Sequence, residues 1–344
     1  MTWDELDWSA LDRLRGRFLA GPGAGGPYWE SARDLAGYDL TYGERIGWKW
    51  DQVLRELRLR GWTARPRQVL DWGCGSGVAG RRVLGYLGGD QVESYTVWDH
   101  SPLACDFALA AAERQFPGLR AAQATPGLLA GDAPVGLLVI SHVLNELSPE
   151  SLAGLQRLIA RSEAVLWVEP GTRDVSRQLA AIRDGLRPAF QLLAPCPHAG
   201  DCPVLTAGNE RHWCHFFAPP PAEIFADSRW VKFGQRAGID LRSLPYAFIA
   251  AERAPAEAAL PVPGLARVIG RVEHFKPYAR WLNCDATGLH ELELPKRADG
   301  ALFKELERTK APLVYRWRCE GRKVTGGEAL AAPASEGFAP SPPA

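Results

Sequence analysis

The chain has 344 residues, 46% of them apolar, with 40 Lys plus Arg against 40 Asp plus Glu. That composition predicts a globular protein of two domains, or of one domain with large additions, and the balanced charge removes any global electrostatic case for a nucleic-acid partner. No apolar run reaches the roughly 20 residues of a membrane span, and seven cysteines, an odd number, argue against a secreted disulfide framework.

The first residues, MTWDELDWSALDRL, are too acidic for a signal or transit peptide, so a soluble, cytoplasmic, monomeric protein without membrane contact is expected. Trp3, Leu6, Leu11, Leu14 and Phe18 recur at mostly helical spacing until GPGAGGP breaks the pattern. Tyr38, Tyr42, Ile46, Trp50, Val53, Leu54 and Leu57 then share one face of a second segment, giving a helical N-terminal region over 1–65. Its cations, including Arg45, Lys49, Arg55, Arg58 and Arg60, read most simply as a solvated face.

A strand, a glycine-rich turn and a helix start follow in VLDWGCGSGVAG, residues 69–80. Gly73, Gly75 and Gly77 fall where the backbone must bend and lie close to a ligand, and the helix over 78–87 turns its unpaired N–H groups toward the loop. Asp71 closes the strand and orients the loop. The next strand ends in Asp99, at the distance where a doubly wound nucleotide fold places the carboxylate that grips ribose hydroxyls. Strand and helix patterns alternate from Arg67 to about Pro195, as a parallel sheet requires, and define a core over 66–195. The strand over 136–141 brings Ser141 and His142 to the carboxyl edge, where open sheets bind ligands. The G-C-G-S-G form, the preceding acid and the strand ending in Ser141-His142 resemble class I S-adenosylmethionine-dependent methyltransferases rather than dinucleotide dehydrogenases. The cofactor set is then Asp71, Gly73, Gly75, Gly77, Asp99, Ser141 and His142. No residue declares itself as a catalytic base, since capping and core hydrogen bonding explain His142, Asn145 and Glu146 equally well.

APCPHAGDCPVLTAGNERHWCHFF, residues 194–217, breaks the α/β rhythm and opens a cysteine-rich insertion with a helix, over 196–260. Cys196, Cys202 and Cys214 lie in a polar loop rather than on a periodic apolar segment, which points to metal or cluster ligation. A fourth ligand is open among Cys284, Cys319 and the histidines His198, His212 and His215. Strand patterns separated by Pro and Gly predict a small β-rich domain over 261–325, and a tail over 326–344 reads as disordered. Between Leu265 and Thr325 stand 13 Lys plus Arg against 8 Asp plus Glu. Arg267, Arg271, Lys276 and Arg280 interleave there with Phe275, Tyr278 and Trp281, a mixture suited to phosphates and stacked bases or to an ordinary solvated sheet face.

VLDWGCGSG, SHVLNEL, WVEPGT, CPHAGDCP, RHWCHF and RWLNCD, in this order, resemble the methyltransferase-like family that associates with the small ribosomal subunit, known from mitochondrial ribosome-assembly factors. The resemblance covers roughly Tyr28 to Val324. It implies a class I S-adenosylmethionine-dependent methyltransferase (Rossmann-like) α/β fold with a helical N-terminal region, a cysteine-rich insertion and a small β-rich C-terminal domain. It further implies S-adenosylmethionine, a [4Fe-4S] cluster on Cys196, Cys202, Cys214 and Cys284 with zinc as the alternative, and the small ribosomal subunit and its rRNA as partners. The missing transit peptide departs from the mitochondrial members and points to a bacterial or other cytoplasmic setting. SHVLN stands where amino-directed base methyltransferases carry N/D-P-P-Y, so an exocyclic amine has no support as target. Three functions follow: methyl transfer to small-subunit rRNA, a non-catalytic assembly factor that uses both cofactors structurally, or a zinc-containing methyltransferase with another substrate.

Overall fold

The computed structural model describes residues 1–20, 29–63, 66–253, 264–308 and 313–330. Helices α1 (Trp8–Ala20) and α2 (Ala32–Tyr38) lead through a π-turn at Asp39–Gly43 into α3 (Glu44–Leu59). Ser31 starts α2 by accepting the Asp34 N–H, and the Asp34 carboxylate pairs with Arg13 of α1. The apolar face of α3 buries Trp50, Val53, Leu54 and Leu57 against the sheet. Several of the 13 tryptophans join distant segments: Trp230 meets Trp3 at 5.0 Å and Trp48 at 4.9 Å between ring centroids.

The strands are β1 (Gln68–Trp72), β2 (Ser94–Trp98), β3 (Ala121–Gln123), β4 (Val135–Ser141), β5 (Ser162–Pro170), β6 (Phe190–Ala194), the short β7 (Phe216–Phe217) and β8 (Pro245–Arg253). Helices α4 (Val78–Leu87), α5 (Pro102–Gln115), α6 (Pro126–Ala130), α7 (Pro149–Ala160) and α8 (Arg173–Leu186) connect them. The order is β3-β2-β1-β4-β5-β8-β6, with β7 paired to β8. Leu137, Val139, Leu166 and Val168 face one apolar layer and Leu138, Ile140, Val165 and Trp167 the other, as in a parallel sheet covered on both faces. β8 runs antiparallel to β5, β6 and β7. This sets the sheet apart from the all-parallel dinucleotide order, and the class I methyltransferase fold expected from the sequence is the one observed.

Pro245–Arg253, within the segment expected as the cysteine-rich insertion, is β8, inside the main sheet between β5 and the edge strand β6. The chain leaves the sheet after β6, builds the cysteine loop and α9 (Ser228–Ala237), and returns between β5 and β6. The helix expected in the insertion is α9, preceded by a separate 3₁₀ turn at Ala222–Phe225, because Asp227 caps a new helix by accepting the Arg229 N–H.

Strands β9 (Ala266–His274), β10 (Tyr278–Asp285), β11 (Gly288–Pro295), β12 (Val314–Glu320) and β13 (Lys323–Ala329), with α10 (Gly300–Leu306) between β11 and β12, form a closed barrel. Three strands meander, β13 joins β11 in parallel, and β12 closes on β9, the arrangement of an oligonucleotide-binding barrel. β13 extends into 326–329, so the barrel includes residues read as tail; 331–344 lie outside the described residues. Arg267 and Trp281, expected on an open face, are 1% and 2% exposed. Arg267 points into the junction with α3, where it pairs with Glu56 and lies 3.7 Å from the Phe216 ring.

Candidate active site and cysteine cavity

β1 delivers Asp71 and the glycine loop to the carboxyl edge of the sheet, beside the end of β4. Gly73, Gly75 and Gly77 have φ of +71°, +53° and +75°, which side chains rarely adopt. A Cβ on Gly73 would stand 2.6 Å from Val143 Cγ1, and one on Gly77 would stand 2.8 Å from Ala108 Cβ, whereas one on Gly75 would project into open space. Packing thus excludes side chains at the outer two glycines, and Gly75 faces the volume a ligand would fill.

Asp71 is fully buried: its Oδ2 accepts from Tyr95 Oη at 2.8 Å and from the Gly80 N–H at 3.2 Å, fixing the loop rather than facing a ligand. Burial pushes its carboxyl up to about 7 against those two hydrogen bonds, and Oδ1 has no partner. Asp99, half-buried just past the end of β2, accepts from the Gly75 N–H at 3.0 Å and the Ser101 N–H at 2.9 Å. Burial raises its pKa, while these bonds oppose the shift. The carboxylate and the central glycine therefore share one edge of the cleft.

Ser141 and His142 close the opposite side. Ser141 Oγ accepts from Trp50 Nε1 at 3.0 Å and lies 3.3 Å from His142 Nδ1. His142 has φ +57°, and its Nε2 stands 3.0 Å from Lys49 Nζ. Lys49 and Arg45 are thus not part of a solvated face. Burial and Arg45 bring Lys49 down to about 7, against Glu169; burial and Tyr42 act in opposite senses on Arg45, which falls to about 10. Sequence periodicity missed Lys49 because it marks the helix face but cannot show that the flank of α3 is covered by the end of β4. Glu169, at the end of β5, accepts from Val143 N, Leu144 N and Trp167 Nε1 through Oε1, and burial raises its carboxyl to about 7.

The N-terminal helices cover this cleft. Arg81 pairs with Asp39 at 2.7 Å and Arg82 with Glu44 at 2.6 Å, and a Cβ on Gly43 would lie 3.3 Å from Ser76 Oγ.

Cys196, Cys202, Cys214 and Cys284 line one cavity of about 20 Å³, together with Arg183, His198 and Arg267. Cys284 Sγ is 3.6 Å from His198 Nε2, and Arg183 Nε donates to Cys196 Sγ at 3.2 Å. Burial and neighbouring Cys196 push Cys202 up to about 11 and raise Cys214 and Cys284 further. The donors are four soft sulfurs with two guanidinium groups beside them, a set that suits thiolate ligation of zinc or an iron-sulfur cluster. Among the described residues no group of three or more His, Cys, Asp or Glu side chains is arranged to hold a metal ion, so the likeness to such sites is one of donor chemistry and not of geometry. Cys319 is exposed on β12, His215 stacks on Trp213, and His212 accepts from Arg211. Cys74 and Cys105 are buried among core residues.

Of the predicted basic face, Arg271 stacks on Phe217 at 3.9 Å and Arg280 pairs with Glu273 and Glu291. Exposed Phe275, stacked on Tyr278 at 4.7 Å, remains with Lys276, and the adjoining turn adds Lys296 and Arg297 because Lys296 N donates to Pro277 O. Among the described residues no helix is long and apolar enough to cross a membrane.

Residues 50–310 match the family described as mitochondrial small ribosomal subunit Rsm22. No curated protein matches the chain. Similar solved structures include magnesium protoporphyrin IX methyltransferase from Synechocystis PCC 6803 with bound S-adenosylhomocysteine, at 14% identity, covering 73% of this chain and 97% of that one, TM-score 0.38. The N-methyltransferase NodS from Bradyrhizobium japonicum WM9, also with S-adenosylhomocysteine, is 13% identical over 60% of this chain and 87% of its own, TM-score 0.36. The 16S rRNA methylase RmtB is 19% identical over 54% and 69%, TM-score 0.32.

Proposed function

Because the chain belongs to the family of the mitochondrial small ribosomal subunit protein Rsm22, we propose that it binds S-adenosylmethionine and transfers its methyl group to small-subunit rRNA. The observation that carries this reading is the placement of the hydrogen-bonded Gly75 and Asp99 past β1 and β2, and of Ser141 and His142 at the end of neighbouring β4, together on the carboxyl edge of the sheet. The donor supplies an already activated sulfonium methyl, so the protein's task is alignment and proton acceptance. Asp99 would hold the ribose and the glycine loop would leave room for the nucleoside. Asp71 would keep the loop in place through Tyr95 and Gly80.

The four-thiol cavity supports a [4Fe-4S] cluster on Cys196, Cys202, Cys214 and Cys284, with zinc the alternative. Such a group ties thiolates together, and here they come from the loop after β6 and from β10 of the barrel, so its binding energy becomes folding energy for both. Arg183 would hold Cys196 in place by its hydrogen bond. This cross-link also favours the second reading, an assembly factor in which cofactors set domain shape. Phe275, Tyr278, Lys276, Lys296 and Arg297 form the surface offered to RNA, at the loops through which barrels of this kind meet oligonucleotides. We propose a cytoplasmic setting and a monomer, although the family description is mitochondrial.

Single-turnover transfer from labelled S-adenosylmethionine to purified small-subunit RNA tests the reading. Label in the RNA supports the enzyme, whereas tight RNA and donor binding without label supports the assembly factor.

A further inference from the structure

Helix α3 carries Lys49 into the cleft, where its Nζ stands 3.0 Å from His142 Nε2. Two basic nitrogens at that distance can share one proton, but two protonated groups would repel. His142 is held from three sides: Ser141 Oγ near Nδ1, Trp50 behind Ser141, and a backbone N–H that donates to Val168 O at 2.9 Å. Its φ of +57° is strained for a residue with a side chain, and it persists because these contacts over-determine it. The next residue, Val143, meets the glycine loop at Gly73, which places the pair beside the proposed donor site. The charged or titratable groups bearing on Lys49 are Arg45 on α3, His142 just past β4 and Glu169 on β5, with Glu146 acting in turn on Glu169. Glu169 spends its Oε1 on three donors and forms no ion pair with Lys49, so the amine is not fixed in its charged form.

We propose that Lys49, seated on His142, takes up the proton released when a nucleotide hydroxyl or ring N–H is methylated in this cleft; this rests on the methyltransferase reading above. The neutral amine removes the proton from the O–H or N–H, whose electron pair forms the new bond to the methyl carbon. The carbon–sulfur bond breaks with its pair retained by sulfur, which loses its positive charge. Lys49 leaves the step as ammonium and returns the proton to solvent. His142 is the positioning residue that orients the amine. The pair also sets substrate class, because a ring nitrogen with a free lone pair needs no acceptor.

The chain contains seven lysines, so the full-length protein labelled at lysine Cε can be followed by NMR, Lys49 being the signal missing from Lys49→Arg. With S-adenosylhomocysteine present, Lys49 should titrate near neutral pH; titration at the ordinary value of about 10.4 overturns the proposal. In single-turnover transfer to small-subunit RNA, Lys49→Met and Lys49→Arg should both slow the rate by about 10²- to 10⁴-fold at unchanged S-adenosylhomocysteine affinity. Arginine keeps the charge but accepts no proton, so a rate retained in Lys49→Arg overturns the proposal and leaves methyl transfer standing. His142→Gln should lower the rate and move the inflection of the pH profile; an unmoved inflection removes His142 from its role. Nucleoside digestion should place the label on oxygen or on a ring nitrogen that bore hydrogen, and label on guanine N7 or adenine N1 overturns the proposal. A wild-type chain that transfers no label overturns the methyltransferase reading and this proposal with it.

Discussion

Glu56 is the point where three parts of the molecule meet, and its removal should be more damaging than that of either arginine. It is 5% exposed, pairs at 2.9 Å with Arg60 just past the end of α3, and pairs with the almost fully buried Arg267 of the barrel. Arg60 also donates to Pro195 O at 2.8 Å and Cys196 O at 3.2 Å, so the same carboxylate anchors the arginine that fixes the cysteine loop. Glu56→Ala leaves two cations facing carbonyls alone, and breaking a buried pair from one side costs about 3–5 kcal/mol. Arg267→Met retains the Glu56–Arg60 pair and removes two guanidinium nitrogens that have no partner, while giving up the stacking on Phe216, worth about 1–2 kcal/mol; its net cost should be near that value. The double variant Glu56→Met/Arg267→Met should be less destabilised than Glu56→Ala, because only Arg60, whose side chain is 11% exposed, remains charged. Urea unfolding followed by tryptophan fluorescence at pH 7.5 measures all three. Burial alone would raise the Glu56 carboxyl, but Arg267 and Arg60 hold it below its usual value. The stabilisation is therefore fully present above the unfolded value of about 4.3 and is lost as pH falls through the lower folded value. A Glu56→Ala loss under about 0.5 kcal/mol, or a double variant no more stable than Glu56→Ala, would refute this reasoning.

Gly77→Ala should destabilise the fold by more than the roughly 1–2 kcal/mol of left-handed strain, because its Cβ also meets Ala108, whereas Gly75→Ala should carry the strain alone; thermal unfolding separates them. Anaerobically purified protein should contain iron and sulfide in equal amounts, with a visible absorption band. Cys284→Ser should lose the metal and expose the barrel to limited proteolysis, while Cys105→Ser should do neither; zinc in place of iron, or metal fully retained without Cys284, contradicts the assignment. Charge reversal at Lys276, Lys296 and Arg297 should weaken small-subunit RNA binding and reduce its salt slope by about 0.7 for each single-strand phosphate no longer neutralised, and fluorescence anisotropy across a salt series would show an unchanged slope if these side chains are only solvated.

The parts of the molecule legible in the sequence are those fixed by local chemistry. The glycine turn announces itself because residues with side chains rarely adopt its three positive φ angles, and the observed helix over 78–87 begins directly after that turn. Strand β4 carries an almost unbroken apolar run, so its existence follows from burial on both faces, while β1 and β2 show shorter apolar or alternating patterns beside the glycine turn. Long-range pairing is what local pattern cannot convey. β8 falls in a stretch read as an insertion because only the sheet order shows that it returns between β5 and β6. Arg267 and Trp281 look like members of a basic and aromatic face, but strand alternation turns both inward, and the carboxylate that makes burial of Arg267 tolerable lies on α3, 211 positions away. Lys49 was hidden for the same reason: its partner, His142, is 93 positions distant.

The central claim is that the nucleoside of a methyl donor lies between Gly75 and Asp99. Isothermal calorimetry of the full-length chain with S-adenosylhomocysteine tests it most directly. The account predicts one site in the wild-type protein, loss of binding in Gly75→Trp, and weakening by about 1–3 kcal/mol in Asp99→Ala, where a hydrogen bond to a charged group is removed. No binding to the wild-type chain, or equal affinity in all three proteins, would contradict it.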